Sequence, residues 1–277
     1  AVSCQTTARV ALRINPNIAA DTHPHISTGL VTHKFGVPIA EARAIARRAD
    51  ERPGLAFVGL HVHIGSQMVG LEPIRQAAAA VVALARELRD DGVQVEHLDL
   101  GGGLGISYDE ETVPLVQDYG AALVEAVRSS GLSLIVEPGR AVAGPAGALL
   151  ASVVDIKPRL DGTWFVVLDA GMSEFMRPTL YGAYHRITAL AESNTERVSC
   201  DVVGPICESS DVFGIGRMLP LPAIGDVMAV LDVGAYGSTM SSNYNRHPLP
   251  AEVMVDDGKW HVVRRRQTID EQLACEE

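Results

Sequence analysis

Three short stretches carry residue types that do chemistry: "HVHIGSQ" (61–67), "DLGGGLG" (99–105) and "EPGR" (137–140). Each closes an apolar run. Polar and Gly-rich clusters at the carboxyl ends of successive parallel strands are how α/β sheets and barrels build sites. The consecutive glycines Gly101, Gly102 and Gly103 let a backbone come very close to something, and bare N–H groups suit a phosphate. A dinucleotide fingerprint fits less well, because "GGGLGISYDEETVP" runs through a polar loop instead of opening a helix at once. A Gly-rich turn without a ligand is the plain alternative.

His61 and His63 alternate, so they share one face of their strand. An HxH pair is a possible ligand set for a metal, but no third ligand stands nearby in sequence and no metal is assigned. The rival reading puts the His63 ring against a flat cofactor and the Ser66 hydroxyl on its phosphate. His61 by itself reads as a satisfied core histidine. Glu137 ends an apolar strand, and a buried carboxylate needs a charged partner. Either Arg140 is that partner, or Glu137 faces a protonated ring nitrogen and makes the ring an electron sink. Further on, "GPICESSDVFG" (204–214) sets Cys207 beside Glu208, and a thiol near acids is a poor thiolate and a better proton donor. Arg177 and Tyr181 stand four apart in "MRPTLYGAYHR", as a carboxylate clamp needs. Tyr236 lies between glycines in "GAYG".

Stepping from these residues to the elements beneath them, the first half alternates strand and helix. Strands are expected at 8–14, 55–64, 95–100 and 132–136, with helices at 39–51, 71–91 and 113–130. Glu72-Pro73 opens the second helix and Gly92 stops it, as expected of Pro at a helix start and Gly past its end. Apolar strands separated by helices imply parallel βα units buried on both faces. Beyond "EPGRAVAGPAG" the texture is β-rich, with strands expected at 148–157, 163–169, 198–204, 226–233, 251–255 and 259–265. "VDDGKW" reads as a tight hairpin turn. The domain boundary is placed near residue 145, giving domains 1–145 and 146–277.

The 277 residues are 47% hydrophobic and 21% charged with a net charge of −11. That is a globular composition, and the acidic balance argues against nucleic acid or an anionic membrane as partner. No uncharged apolar run of membrane-spanning length occurs. The four cysteines, Cys4, Cys200, Cys207 and Cys275, have neither zinc nor redox spacing and read as reduced thiols of a cytoplasmic protein.

The motifs taken together resemble the fold-type III pyridoxal-phosphate decarboxylases, specifically the branch acting on diaminopimelate. The residues that carry the resemblance are "RINP", "ISTGL…HKFG", "GLHVHIGSQ", "LDLGGGLGI", "EPGRAVAG", "DAGMSEFMRPTLYGAYHRI", "GPICESSDVF", "GAYGSTMSSNYNRHPLPAEVMV" and "RRRQT". They run over essentially the whole chain, and their number, order and spacing make the match specific. It implies an α/β plus β architecture: the C-terminal half of a (β/α)8 TIM-like barrel that binds pyridoxal 5'-phosphate, followed by a β-barrel or sandwich domain. It implies that His63 stacks on the pyridine ring, that Ser66, Gly101, Gly102, Gly103 and Tyr236 hold the phosphate, and that Glu137 pairs with the ring nitrogen. Arg140, Arg177 and Tyr181 would hold the distal substrate carboxylate, Glu208 would read the distal amino group, and Ser209 and Tyr236 would also bind the substrate. Cys207 would return the proton that replaces CO2, across a homodimer interface. The implied reaction turns meso-2,6-diaminopimelate into L-lysine.

One family feature is missing. The cofactor lysine of a "YAxKA"-type motif has no counterpart among the three lysines, Lys34, Lys157 and Lys259. Four βα units where a barrel has eight say the same, so about 120 residues of barrel are expected upstream. The competing expectation is a catalytically silent chain that binds an anion or a partner.

Overall fold

The computed structural model describes residues 1–18, 34–191, 196–274 and 276. "ISTGL", His33 and Cys275 lie outside them. The chain divides into two compact units, Ala1–Val142 and Ala143–Glu277.

The first unit is a five-stranded, wholly parallel sheet with helices. In chain order come β1 (Ala8–Asn15), β2 (Val37–Pro38), α1 (Ile39–Asp50), β3 (Leu55–Val62), α2 (Glu72–Asp90), β4 (His97–Asp99), α3 (Val116–Arg128), β5 (Ser133–Ile135) and the one-turn α4 (Gly139–Ala143). The strands lie in the order β2-β1-β3-β4-β5. Four βα strands were expected; β2 is the fifth, too short for periodicity to betray. Helix α2 forms because Ile74, Ala77, Ala78, Val81, Val82, Ala85 and Leu88 bury one stripe at helical spacing, and Gly92, at φ 85°, ends it in the left-handed region.

The strands are not buried alike on both faces. Even-numbered Leu12, Ile14, Leu60, Val62, Leu98 and Leu134 join the core with the helices. Odd-numbered Arg13, His61 and Asp99 lie level across β1, β3 and β4, and Asp99 is level with Ile135 of β5. Register partners in a parallel sheet share a face, so this second face is polar. Ile135 and Glu137 on it are exposed. The expected two-sided burial therefore holds for the helix-covered face only.

The second unit contains β6 (Leu149–Pro158), β7 (Trp164–Leu168), α5 (Arg177–Tyr181), β8 (Ile187–Ala189), β9 (Arg197–Val203), β10 (Val212–Pro220), β11 (Val227–Val230), β12 (Glu252–Asp256), β13 (Lys259–Arg264) and α6 (Ile269–Leu273). Six strands form a mixed sheet, β10-β9-β7-β6-β11-β8, whose end strands β10 and β8 approach each other, giving a near-closed barrel. Val153, Val166, Leu168, Phe175, Val202 and Met228 fill it. Strands β12 and β13 form a separate hairpin, turned by Asp257 and Gly258 at φ 45° and 71°, the two positive values a type I′ turn needs. Thr268 and Glu271 make a reciprocal capping box on α6. Among the described residues no helix is long and apolar enough to cross a membrane.

Candidate active site

The three stretches at the strand ends meet in the first unit. Gly101 and Gly103 have φ of 67° and 101°, values that favour glycine. A Cβ on Gly102 would lie 1.9 Å from the Glu137 carbonyl oxygen, and one on Gly101 2.5 Å from that of Val62. The close approach is thus first of all to the neighbouring strand ends. Two of the three glycine amides already have acceptors: Gly101 N–H donates to Asp99 Oδ1 at 2.9 Å and Gly102 N–H to His63 Nδ1 at 3.2 Å.

That second bond fixes the state of His63. A ring nitrogen that accepts carries no proton, so His63 is neutral with its proton on Nε2. Burial, aided by the charge of Arg13, pushes its pKa down to about 4, in agreement with the geometry. Arg13 donates to the His63 carbonyl and stacks on Phe35, 4.8 Å from the ring centre.

Arg140 is buried and does not pair with Glu137. Its Nε and Nη2 donate to Ser66 Oγ at 3.2 and 3.1 Å, and its Nη1 to Tyr108 OH at 2.6 Å. Glu137 is itself half exposed, with 53% of its side chain accessible, so the carboxylate is open where burial was expected, and of its two alternative partners Arg140 is not the one taken. The side chain beside it is His61, whose Nε2 lies 3.5 Å from Glu137 Oε2. His61 is no satisfied core histidine: its Nε2 is shielded and has no hydrogen-bond partner. One ligand atom each from His61, Asp99 and Glu137 falls within 4.8 Å of the others. Asp99 from β4 and Glu137 from the end of β5 thus gather around His61, while His63 is not in the group.

In the second unit α5 carries Arg177 and Tyr181 one turn apart, and Gly182 at φ 59° ends it. Arg177 is buried and its Nη1 lies 2.9 Å from His185 Nε2. His185, wholly buried, has its Nδ1 2.8 Å from the Leu231 carbonyl. A carbonyl only accepts, so Nδ1 bears the proton and Nε2 accepts from Arg177. Phe175 meets the ring edge-on at 4.7 Å. Arg177 is thus oriented by a neutral partner.

Cys207, Glu208 and Ser209 are exposed on one loop. Glu208 accepts from Ser210 Oγ at 2.6 Å and Tyr244 OH at 2.7 Å, which hold its carboxyl below the ordinary value. The buried Asp211 ties the loop down, accepting from Ile206 N–H at 2.7 Å and Met172 N–H at 2.6 Å. Desolvation raises its pKa. Tyr236 is exposed at φ 58°, a strained setting for a bulky residue and one that points to a role. A Cβ on Gly234 would stand 2.0 Å from the Ala143 carbonyl, so that glycine is required. Of the lysines, Lys34 sits over the Phe35 ring at 5.2 Å, Lys157 lies in β6, and Lys259 opens β13.

Residues 2–144 match the family described as pyridoxal-dependent decarboxylase, pyridoxal binding domain. The chain belongs to this family. It is 43% identical over 270 residues to diaminopimelate decarboxylase of Neisseria meningitidis serogroup A, covering 98% of this chain and 66% of the relative. Against the Haemophilus influenzae enzyme of the same name it is 43% identical over 271 residues, 97% of this chain and 65% of that one. The crystal structure of diaminopimelate decarboxylase from Helicobacter pylori complexed with L-lysine superposes with a TM-score of 0.94 at 41% identity, covering 99% of this chain and 68% of that one. The chain thus spans about two thirds of the length of these curated relatives.

The strand-end residues all lie within the matched pyridoxal binding domain. Sequence reasoning passed over Asp99, Tyr108, His185, Asp211 and Tyr244, although all but Tyr108 stand within motifs quoted for the resemblance. Their signal was type: a polar residue in a setting that the fold buries or pairs.

Proposed function

We propose that this chain supplies the cofactor-ring, phosphate and substrate-carboxylate residues of a diaminopimelate decarboxylase. The reaction is the PLP-dependent conversion of meso-2,6-diaminopimelate to L-lysine and CO2. Residues 1–145 are read as part of a (β/α)8 barrel and 146–277 as its β-domain, in a cytoplasmic homodimer. The observation that carries the cofactor reading is the neutral, Gly102-held His63 at a glycine cup that packs on the Glu137 backbone at the adjacent strand end.

The residues fit pyridoxal phosphate. Beside the glycine turn, Ser66 and Arg140 bring a hydroxyl and a guanidinium, suited to a dianion. When bound, the cofactor supplies an aldehyde for the substrate amine and a ring that takes up the electrons of the breaking bond. Glu137 holds a proton at the ring nitrogen. His63, uncharged, offers its face to the ring without opposing that proton. Because Gly101 and Gly102 amides are engaged internally, we assign the phosphate within the first unit chiefly to Gly103 and Ser66, joined by Arg140 through its bond to Ser66; for Tyr236 we keep the phosphate role that the resemblance implies.

The distal carboxylate then falls to Arg177, pre-oriented by His185, with Tyr181. A planar fork matches a carboxylate, and lysine and ornithine have no second carboxylate to offer. Glu208, kept ionised by Ser210 and Tyr244, suits the distal ammonium, with Ser209 beside it. Cys207 Sγ holds the proton delivered to the α-carbon.

The test is turnover by the full gene product. CO2 release from meso-diaminopimelate with L-lysine as product is expected, with none from L-lysine or L-ornithine. Equal turnover of ornithine would overturn the substrate reading. The 277-residue chain tested alone is expected to form no lysine, for want of a lysine matching the cofactor motif.

A further inference from the structure

His61 turns a shielded ring nitrogen toward a carboxylate to which it makes no hydrogen bond. Its Nε2 is closed off from solvent and makes no hydrogen bond. Glu137 Oε2 stands 3.5 Å away, too far for a well-formed bond. The other carboxylate near His61, Asp99, is level with it across the sheet but already accepts the Gly101 amide through Oδ1. Glu137 is half exposed, and among the described residues its carboxylate makes no hydrogen bond, so a small rotation brings it onto Nε2.

We propose that His61 is a positioning residue for Glu137. Its Nε2–H closes on Glu137 Oε2 when a pyridine ring nitrogen engages the carboxylate, and it keeps the shared proton on the ring instead of on Glu137. The inference rests on the reading of Glu137 as the ring-nitrogen partner.

The physical need is plain. A carboxylate facing a pyridine nitrogen chooses between an ion pair and a neutral acid–base pair. Exclusion of water by a bound ring favours the neutral pair. A second donor on the carboxylate favours its charged form and tips the balance back. The other groups around the pair do not replace His61. Arg13 on β1 favours an anionic Glu137, but it is spent on the His63 carbonyl and the Phe35 ring. Asp99 on β4 opposes the anion by like charge. His63 on β3 is neutral. Tyr119, from α3, is buried with its hydroxyl unpartnered and pushed up to about 12 by burial and by Asp99 and Glu137, so it stays neutral.

The experiment uses pyridoxamine 5'-phosphate labelled with 15N in the ring, a probe that needs no lysine, bound to the 277-residue chain. The ring 15N shift reports its protonation against pH. In the unsubstituted protein the ring nitrogen should stay protonated through neutral pH. His61→Leu should lower the midpoint by about one to two pH units, and His61→Gln, which keeps a donor, should restore most of it. An unchanged midpoint in His61→Leu, with a lowered one in Glu137→Gln, overturns this inference and leaves Glu137 on the ring. An unchanged midpoint in Glu137→Gln, or failure of the unsubstituted chain to bind the probe, overturns both. If His61→Leu does not fold, the His61 Nε2 proton of the unsubstituted chain decides. It should move downfield on loading, and a resonance that stays put overturns the proposal.

Discussion

Gly102 and Glu137 are locked backbone to backbone: a Cβ on Gly102 would sit 1.9 Å from the Glu137 carbonyl oxygen, while the Glu137 amide donates to Gly101 O at 2.7 Å. The residue beneath the expected phosphate and the residue expected on the ring are thus one rigid piece. Gly102→Ala must pry β4 and β5 apart at their ends. We expect a loss of about 3 kcal/mol in urea unfolding, together with loss of cofactor-analogue binding. Gly120 is the control. It lies inside α3 with open space where a Cβ would go, so Gly120→Ala should gain about 0.5–1 kcal/mol. Equal tolerance of both substitutions would contradict the close approach.

His63 makes stability fall on the acid side. Its pKa is about 4 in the fold against 6.5 for the free side chain. Above 6.5 both states are neutral and nothing is lost. As pH drops from 6.5 toward 4, the unfolded chain takes up a proton that the folded one refuses, costing at most about 3 kcal/mol. His63→Gln should flatten the melting temperature over that window; an unaltered slope would refute the buried neutral state.

Two tyrosines should respond oppositely to loss of their hydroxyls. Tyr119 OH is buried without a partner, so Tyr119→Phe should cost nothing or stabilise by about 1 kcal/mol. Its phenol is held neutral up to about 12 against 10 when unfolded. Stability is therefore lost as pH rises from 10 toward 12, and the substitution should remove that loss. Tyr108 OH takes a hydrogen bond from buried Arg140 at 2.6 Å, so Tyr108→Phe should cost about 1.5–3 kcal/mol. Thermal melts at pH 7 and pH 11 separate the two.

Tyr244 sets the acidity of Glu208. Ser210 and Tyr244 both donate to the carboxylate and lower its pKa. Tyr244→Phe should move the Glu208 carboxyl titration, followed by 13C NMR, up toward the ordinary 4.5 without unfolding the barrel.

Arg177 and His185 should act as one unit. His185→Ala strips partners from the buried Arg177 guanidinium and the Leu231 carbonyl, with an expected cost of about 3 kcal/mol. In a catalytically complete protein, Arg177→Lys keeps the charge but not the fork. It should raise KM for meso-diaminopimelate tenfold to a hundredfold, with a smaller change in kcat. An unchanged KM would remove Arg177 from the substrate.

Local pattern was enough for α2, whose apolar stripe, Pro73 and Gly92 all speak in one window, and for the Asp257-Gly258 hairpin turn. It was not enough for β8, three residues long, or for β10, which Gly214 and Gly216 interrupt and whose register with β9 slips twice. A strand of that kind is specified by its neighbour and not by its own alternation. At the site, His63, Ser66 and Glu137 were legible because each ends an apolar run with a reactive type. The loose end was partnership: Arg140 belongs to Ser66 and Tyr108, and Glu137 has His61 beside it.

The sequence by itself determined which residues cluster at strand ends, the parallel βα texture of the first half, the β texture of the second, and the family. Those are properties of spacing along a chain, and periodicity records them. Only the tertiary structure decided what the three glycines approach, which protonation state His63 holds, and that His61, Asp99 and Glu137 converge. These depend on register between strands distant in sequence, where a shift of one residue would send every side chain to the other face.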